Sequence, residues 1–299
     1  MDLRQLTTFR ELARTLHFHQ AAERLGYVQS TVSAQIQGLE EDLGVRLFDR
    51  LGKQITLTNA GERLLPYAEQ ILKVAEEART AVSGHEQYVG TLTIGATETL
   101  CTYRLPAVLR QFHFLYPQVR LLFFPSAFSA LRRLAIDGQV DLAFLMEEPI
   151  ASSVFHAQSF RPEPIHLLVS SDHPLAQRST ILPSDLEGET LLVTEAGCSY
   201  RTQFQHQLSK AGVQPTAMLE FESIEAIKQC ALIGMGVAVL PAITVASELE
   251  QQKLVILPWS GEPICLMTQM IWHKQKWLSP AFQAFLAVTR QVLMKPLDQ

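Results

Sequence analysis

The chain has 299 residues, of which 47% are hydrophobic and 18% charged, and 25 Lys and Arg against 30 Asp and Glu give a formal net charge of -5. That length and apolar content can bury the cores of about two domains and exclude a chain disordered throughout. A uniformly basic coat for nucleic acid is excluded too, so any DNA-binding surface must concentrate its cations locally.

Residues 1–58 read as a small helical unit. The opening MDLRQLTTFRELARTLHF has no apolar signal core and no small-residue cleavage site, so a cytoplasmic location is expected. Leu3, Leu6, Phe9, Ala13 and Leu16 recur at three- and four-residue steps, the spacing of an amphipathic helix. Phe18 to Leu25 repeats the pattern and stops at Gly26, as a helix C-terminal glycine does. A third helix is expected from Ser30 or Thr31, either of which can cap it, with Val32, Ile36 and Leu39 inward. After Gly44, Leu47 and Phe48 lead through a Gly52-Lys53 turn to Ile55 and Leu57, a small hairpin.

Two short helices joined by a tight turn and followed by a hairpin make a winged helix-turn-helix, whose third helix here would enter the major groove. Gln29, Ser30, Thr31, Ser33, Gln35 and Gln37 offer short hydroxyls or amides suited to base edges and phosphates. Arg50 and Lys53 of the wing suit the phosphate backbone, with Arg24 and Arg46 as weaker candidates. Charge alone does not single out DNA, because residues 1–60 hold seven Lys and Arg and seven Asp and Glu. The bland alternative is a polar, solvated helix face beside an ordinary hairpin.

Residues 59–90 carry Ala60, Leu64, Ala68, Ile71, Ala75, Ala78 and Val82 at steps of 4, 4, 3, 4, 3 and 4. A seam this sustained calls for a partner helix, which makes Leu64, Ala68, Ile71, Ala75 and Ala78 the candidate dimerisation residues. The alternative is a helix packed on its own domain.

From residue 91 onward, short apolar strands alternate with amphipathic helices. Strands are expected at 91–96, 119–124, 140–145, 165–169, 191–193 and 237–240, and helices at 106–116, 127–136 and 223–233. Repeated βα units argue for mostly parallel sheets with helices on the faces, in two lobes. Nineteen uncharged residues between Lys228 and Glu248 imitate a membrane span, but Gly234, Gly236 and Pro241 punctuate them. A buried helix, a glycine turn and a buried strand explain them better, so no membrane partner is expected. Cys101, Cys198, Cys230 and Cys265 form no CxxC pair and no disulfide framework. There is no nucleophile elbow, phosphate loop, GxGxxG or HExxH, and the His residues lack ligand spacing. No catalytic residue, metal site or cofactor is therefore expected.

The string AAERLGYVQSTVSAQIQGLEEDLGVRLFDRLGKQITLTNAG, residues 21–61, closely resembles the N-terminal domain of LysR-type transcriptional regulators. The matching features are AAERL, the serine-rich turn into TVSAQI, LE followed by LG, LFDR and LTNAG. GATETL (95–100), DGQVDLAF (137–144) and GMGVAVLP (234–241) follow in the family's order, so the resemblance covers nearly the whole chain. It implies an α/β protein: an N-terminal winged helix-turn-helix (1–58), a linker and dimerisation helix (59–90) and a C-terminal effector-binding domain (91–299). That last domain would be two-lobed, Rossmann-like and similar to type 2 periplasmic binding proteins. Lobe one would hold about 91–163 and 267–299, and lobe two about 164–266, with crossings near Pro162-Pro164 and Cys265-Thr268. The resemblance further implies a homodimer or homotetramer, double-stranded DNA with an interrupted inverted repeat, and RNA polymerase as a partner. Two departures stand out. Ser30-Thr31 replace the proline that opens the third helix in many members. Lys53 replaces a second wing arginine, and a lysine is a point charge without the bidentate fork.

The resemblance also places an effector cleft beyond the strand ends. Thr97, Glu98 and Thr99 follow the first strand, and Pro125, Ser126 and Ala127 the second. Thr194 to Tyr200, including Cys198 and Ser199, follow the first strand of lobe two, with Arg201 beside them. Glu222, Ser223 and Ile224 precede a helix. Hydroxyls and free amides at helix starts suit a small carboxylate or similar anion. Equally, Thr97, Thr99, Ser126 and Ser223 can serve only as helix caps, and Glu98 can complement a helix dipole. The expected function is a sequence-specific DNA-binding regulator whose promoter activity is modulated by a small anionic metabolite. Two alternatives stay open. Cys101 and Cys198, in opposite lobes, can form a redox switch or soft-metal site, or be merely small half-buried side chains. A cytosolic small-molecule-binding enzyme is the other.

Overall fold

The computed structural model describes residues 1–51, 54–82, 88–126 and 128–294, with backbone alone at 50, 51, 54, 73, 76, 77, 79–82, 128 and 129. The chain divides into two compact units, Met1–Gln87 and Tyr88–Gln299.

In the first unit, helix α1 (Leu3–Thr15) opens on a capping box. The Gln5 N–H donates to Asp2 at 2.8 Å, and the Asp2 N–H donates to Gln5 Oε1 at 2.9 Å, pairing two otherwise orphan donors. Helices α2 (Phe18–Leu25) and α3 (Gln29–Leu43) end at Gly26 and Gly44, whose φ of 67° and 69° favour glycine. The start of α3 differs from the capped start expected at Ser30 or Thr31. Val28 is its N-cap and no side chain caps it, so Ser30 and Thr31 lie inside the first turn. The physical reason is the closure of α2: the Tyr27 N–H returns to the Ala22 carbonyl at 2.9 Å, and the turn is complete before Ser30 is reached.

Leu6, Phe9 and Leu12 of α1, Ala21 and Ala22 of α2, and Val32, Ile36 and Leu39 of α3 form one buried core. Strands β1 (Phe48–Leu51) and β2 (Gln54–Leu57) pair antiparallel as the wing, and the Phe48 ring lies 5.5 Å from that of Phe9. Helix α4 (Asn59–Val82) then starts hard against the wing. A Cβ at Gly61 would stand 2.3 Å from the Leu47 carbonyl oxygen, so the close approach requires glycine. Thr58 Oγ1 accepts from the Gly61 N–H at 3.1 Å and donates to the Arg46 carbonyl at 2.7 Å. These contacts give LTNAG its physical meaning.

The seam expected along α4 is divided. Ala68 is fully buried in the core of its own unit, and Ala60, Leu64, Leu65 and Leu72 pack on that core. Ala68 is thus corrected from a dimer contact to a core residue, and Leu64 faces its own domain. Three- and four-residue spacing marks an apolar face without saying what covers it. The exposed apolar positions are Tyr67 (64%), Ile71 (37%) and Val74 (56%), with Ala78 also exposed and Ala75 half-buried. Their steps of 4, 3 and 4 keep a seam free for a partner.

The second unit holds two βα series. The first is β3 (Gly90–Ala96), α5 (Glu98–Tyr103), α6 (Leu105–Leu115), β4 (Val119–Pro125), α7 (Phe128–Ile136) and β5 (Leu142–Glu147), its strands parallel in the order β4-β3-β5. Next in the chain comes a long strand, β6 (Phe155–Ser170). The second series is β7 (Thr190–Thr194), α8 (Ser199–Lys210), β8 (Ala217–Phe221), α9 (Ile224–Leu232) and β9 (Val237–Pro241), parallel in the order β8-β7-β9. Helix α10 (Ala246–Glu250), strand β10 (Leu254–Ile256), strand β11 (Cys265–His273) and helix α11 (Pro280–Leu293) complete the unit.

β6 and β11 run antiparallel to each other and join the two series into one mixed sheet, with β5 on β11 and β9 on β6. The expectation of mostly parallel sheets therefore holds within each series and fails at the joint. The expected strand at 165–169 is only the end of β6, which continues back through Pro162 and Pro164. Up to Pro164 the strand pairs with β11, and β9 joins from Ile165 on, so the prolines precede the stretch with neighbours on both edges. The uncharged stretch after Lys228 is the rest of α9, a glycine turn and β9. Among the described residues, no helix is long and apolar enough to cross a membrane.

Candidate DNA-binding surface and effector cleft

The start of α3 exposes Gln29 and Ser30, with Gln37 exposed further along and Thr31 and Ser33 half-buried. Because no side chain caps α3, its first amides are left for an outside partner, and phosphate is the matching chemistry. Gln35 departs from the expected set. Its Oε1 accepts from Thr8 Oγ1 on α1, and Thr8 is fully buried, so Gln35 is engaged inside the fold. Gln37 donates to Glu41 Oε1 at 2.8 Å, which fixes its amide on the helix surface.

Glu40 has a role that its sequence position did not announce. Its Oε1 accepts from the Leu47 N–H at 2.7 Å and the Phe48 N–H at 3.2 Å, and so anchors the wing to α3. Arg24 is paired with Glu11 at 3.0 Å, whereas Arg46 is exposed. Arg50 sits opposite Ile55 in the wing ladder, but its side chain and Lys53 lie outside the described residues.

In the second unit, the central strands β3 and β7 end at Ala96 and Thr194, each beside a parallel neighbour on both sides. Ligands in such sheets sit beyond strand carboxyl ends. Thr97 and Ser223 occupy N-cap positions, yet neither side chain caps its helix. The Thr97 hydroxyl is buried without a hydrogen-bond partner, whereas Thr194, only 4% exposed, turns its hydroxyl to the Cys198 and Tyr200 side chains. Thr99 is buried, Ser126 and Ser199 are half-buried, Glu222 is exposed, and Ala127 lies outside the described residues.

Arg201 does not present a free cation. One Nη donates to both the Thr194 carbonyl and Glu220 Oε2, the latter at 2.7 Å, and only about a tenth of the side chain is exposed (11%). That Nη braces β7 to β8, while the Nε of Arg201 is buried without a hydrogen-bond partner. Glu98 is likewise engaged. Its Oε2 accepts from the Ile224 N–H at 3.1 Å, and its Oε1 accepts from Ser223 Oγ at 3.5 Å, both on the opposite lobe.

Burial pushes the Cys198 thiol up, with bonds from Thr194, the Arg201 backbone and Tyr200 offsetting part of the rise. Burial, helped by the nearby Glu98 charge, also pushes Cys101 up. A raised thiol stays protonated, which is the opposite of the activated thiolate that a redox switch uses. Among the described residues, no group of three or more His, Cys, Asp or Glu is placed to hold a metal ion.

Sequence reasoning missed the polar cluster at the crossing strands. Arg104, just after α5, meets Glu163 of β6 through two bonds of 2.7 Å, and Thr268 of β11 donates to Glu163 at 2.6 Å. The Glu163 side chain is only 1% exposed. Gln269, also buried, donates to the carbonyls of Glu147 and Glu148 and accepts from the Ile150 N–H. These partners lie tens of residues apart in the chain, so no local spacing signals them.

A family model described as "LysR substrate binding domain" matches residues 85–294, and one described as "Bacterial regulatory helix-turn-helix protein, lysR family" matches residues 3–62. A Bacillus subtilis (strain 168) protein, "Uncharacterized HTH-type transcriptional regulator YwqM", is 41% identical over 294 residues, spanning 97% of this chain and 99% of its own. The HTH-type transcriptional regulator GltR of the same organism is 33% identical, spanning 97% of this chain and 96% of its own. Among solved structures, a full-length OxyR variant from Pseudomonas aeruginosa superposes with a TM-score of 0.72 at 27% identity, covering 98% of this chain and 94% of that one. Full-length CbnR complexed with its target DNA superposes at 0.69 with 23% identity, covering 98% and 100%, a likeness of fold.

Proposed function

The chain belongs to the LysR family of transcriptional regulators, and on that premise we propose how its two units work as a DNA-binding regulator with an effector-binding domain. The exposed, uncapped start of α3 carries the DNA reading. Gln29, Ser30, Thr31 and Ser33 meet base edges and phosphates, while Arg46, Arg50 and Lys53 meet the backbone. Tyr67, Ile71, Val74 and Ala78 form the seam of a homodimer, which pairs into a homotetramer on an interrupted inverted repeat near a promoter and engages RNA polymerase there. The protein works in the cytoplasm and is not an enzyme.

In the second unit the effector is a small molecule bearing a carboxylate or similar anion. The buried, unpartnered hydroxyl of Thr97 beyond the end of β3 supports a ligand there. With Arg201 held by Glu220, amides and hydroxyls rather than a free cation would hold the anion. The test is fluorescence anisotropy on DNA upstream of the chain's own gene. We expect a salt-sensitive complex, with Gln29→Ala weakening operator binding by about 1–3 kcal/mol relative to scrambled DNA. No salt-sensitive complex, or equal losses on both DNAs, would overturn the assignment of α3 as the base reader.

A further inference from the structure

We propose that Glu98 is a clasp between the two lobes, a carboxylate of the protein itself that a carboxylate effector must displace; the displacement half rests on the effector reading above. Glu98 belongs to α5 in lobe one, yet both its oxygens accept bonds from the start of α9 in lobe two, at Ile224 N–H (3.1 Å) and Ser223 Oγ (3.5 Å). The helix has no side-chain cap of its own, so Glu98 supplies the cap from 126 residues away. A carboxylate is the group favoured there by both the free amides and the helix dipole. A second bond joins the lobes, from Gln203 of α8 to Glu148 at 2.7 Å. Next to Glu98 in the chain, the Thr97 hydroxyl is buried and without a partner.

The other end of α5 gives the clasp leverage. Arg104 follows its last residue and grips Glu163 on β6, which Thr268 on β11 also contacts. Six residues of helix, about 9 Å, therefore connect the clasp directly to both crossing strands. Releasing Glu98 removes the hydrogen bonds that α5 makes to the start of α9 while α5 stays fixed at the crossing, so the local exchange of one carboxylate biases the angle between lobes. An internal competitor also sets sensitivity. If the clasp is formed about nine-tenths of the time, the apparent affinity of the effector falls about tenfold.

The experiment uses the full chain with Glu98→Ala, Glu98→Gln and Ser223→Ala, and one spin label in each lobe. We expect Ile224 amide exchange to quicken about tenfold in Glu98→Ala, with a broader distance distribution between lobes. Glu98→Gln, which keeps an acceptor oxygen, should lie between it and the wild type. Unchanged exchange and distances in both Glu98 variants would overturn the clasp and leave the effector reading untouched. If Glu98→Ala fails to fold, Glu98→Gln and Ser223→Ala give the same decision. Acetate and malonate are then titrated against chloride at matched ionic strength. Lobe separation at about tenfold lower concentration in Glu98→Ala than in the wild type supports displacement. A variant and a wild type that both ignore the carboxylates while the clasp results hold would instead overturn displacement and count against the effector reading.

Discussion

Gln35→Ala separates a base-reading residue from a structural one. The Gln35 side chain accepts from the hydroxyl of Thr8, which is fully buried between α1 and α3. Truncation leaves that hydroxyl without a partner in a place water does not reach, a loss of about 1–3 kcal/mol. In a helical unit of this size each kcal/mol moves the midpoint by about 4–8 °C, so a fall between about 4 and 24 °C is expected. Operator affinity, measured by anisotropy well below the new midpoint, should change little. The paired variant Thr8→Val with Gln35→Leu removes both polar groups and should recover most of the loss. Gln29→Ala should show the reverse pattern, an unchanged midpoint with lost operator affinity. A Gln35→Ala protein as stable as the wild type but unable to tell operator from scrambled DNA would refute this reasoning.

Two further outcomes follow from buried groups in the second unit. Arg104→Met alone removes the cation from the nearly inaccessible Glu163 carboxylate and should lower stability by about 3 kcal/mol, whereas Arg104→Met with Glu163→Leu and Thr268→Val, which removes every member of the cluster, should recover most of it; strictly additive single losses by denaturant unfolding would show that the residues are not coupled. Burial raises the Cys101 and Cys198 thiols above their ordinary value of 9.0, so their neutral form favours the fold. That contribution is complete below the unfolded thiol value and is lost as pH climbs through the higher folded value. Iodoacetamide at pH 7.5 should therefore modify both at least about tenfold more slowly than the exposed Cys265, with rates rising above pH 9. Labelling of Cys198 at the rate of Cys265 would revive the redox alternative.

The first unit was legible in the sequence because its signals are local. Apolar residues at three- and four-residue steps and glycines at the ends of α2 and α3 lie within sixty residues; what the structure changed there is the start of α3 and the partners of Gln35, Glu40 and Ala68. The parallel βα series were legible for the same reason. The joint between them was not legible from local pattern, because its strands pair across long stretches of chain, β5 with β11 and β9 with β6, and only the resemblance placed crossings near Pro162-Pro164 and Cys265-Thr268. Helix α8 hides its period as well, with Tyr200, Phe204 and Leu208 buried among polar neighbours.

What the sequence by itself determined is which faces are apolar, where helices stop, and which family of folds these choices serve. What covers each face, and what each polar group bonds, was decided only by tertiary structure. Ala68 went to its own core while Tyr67 stayed exposed. Gln35 turned to Thr8, Arg201 to Glu220, and Glu98 crossed to the other lobe. Periodicity is a property of one element. A hydrogen bond belongs to two, and packing brings its halves together from positions far apart in the chain.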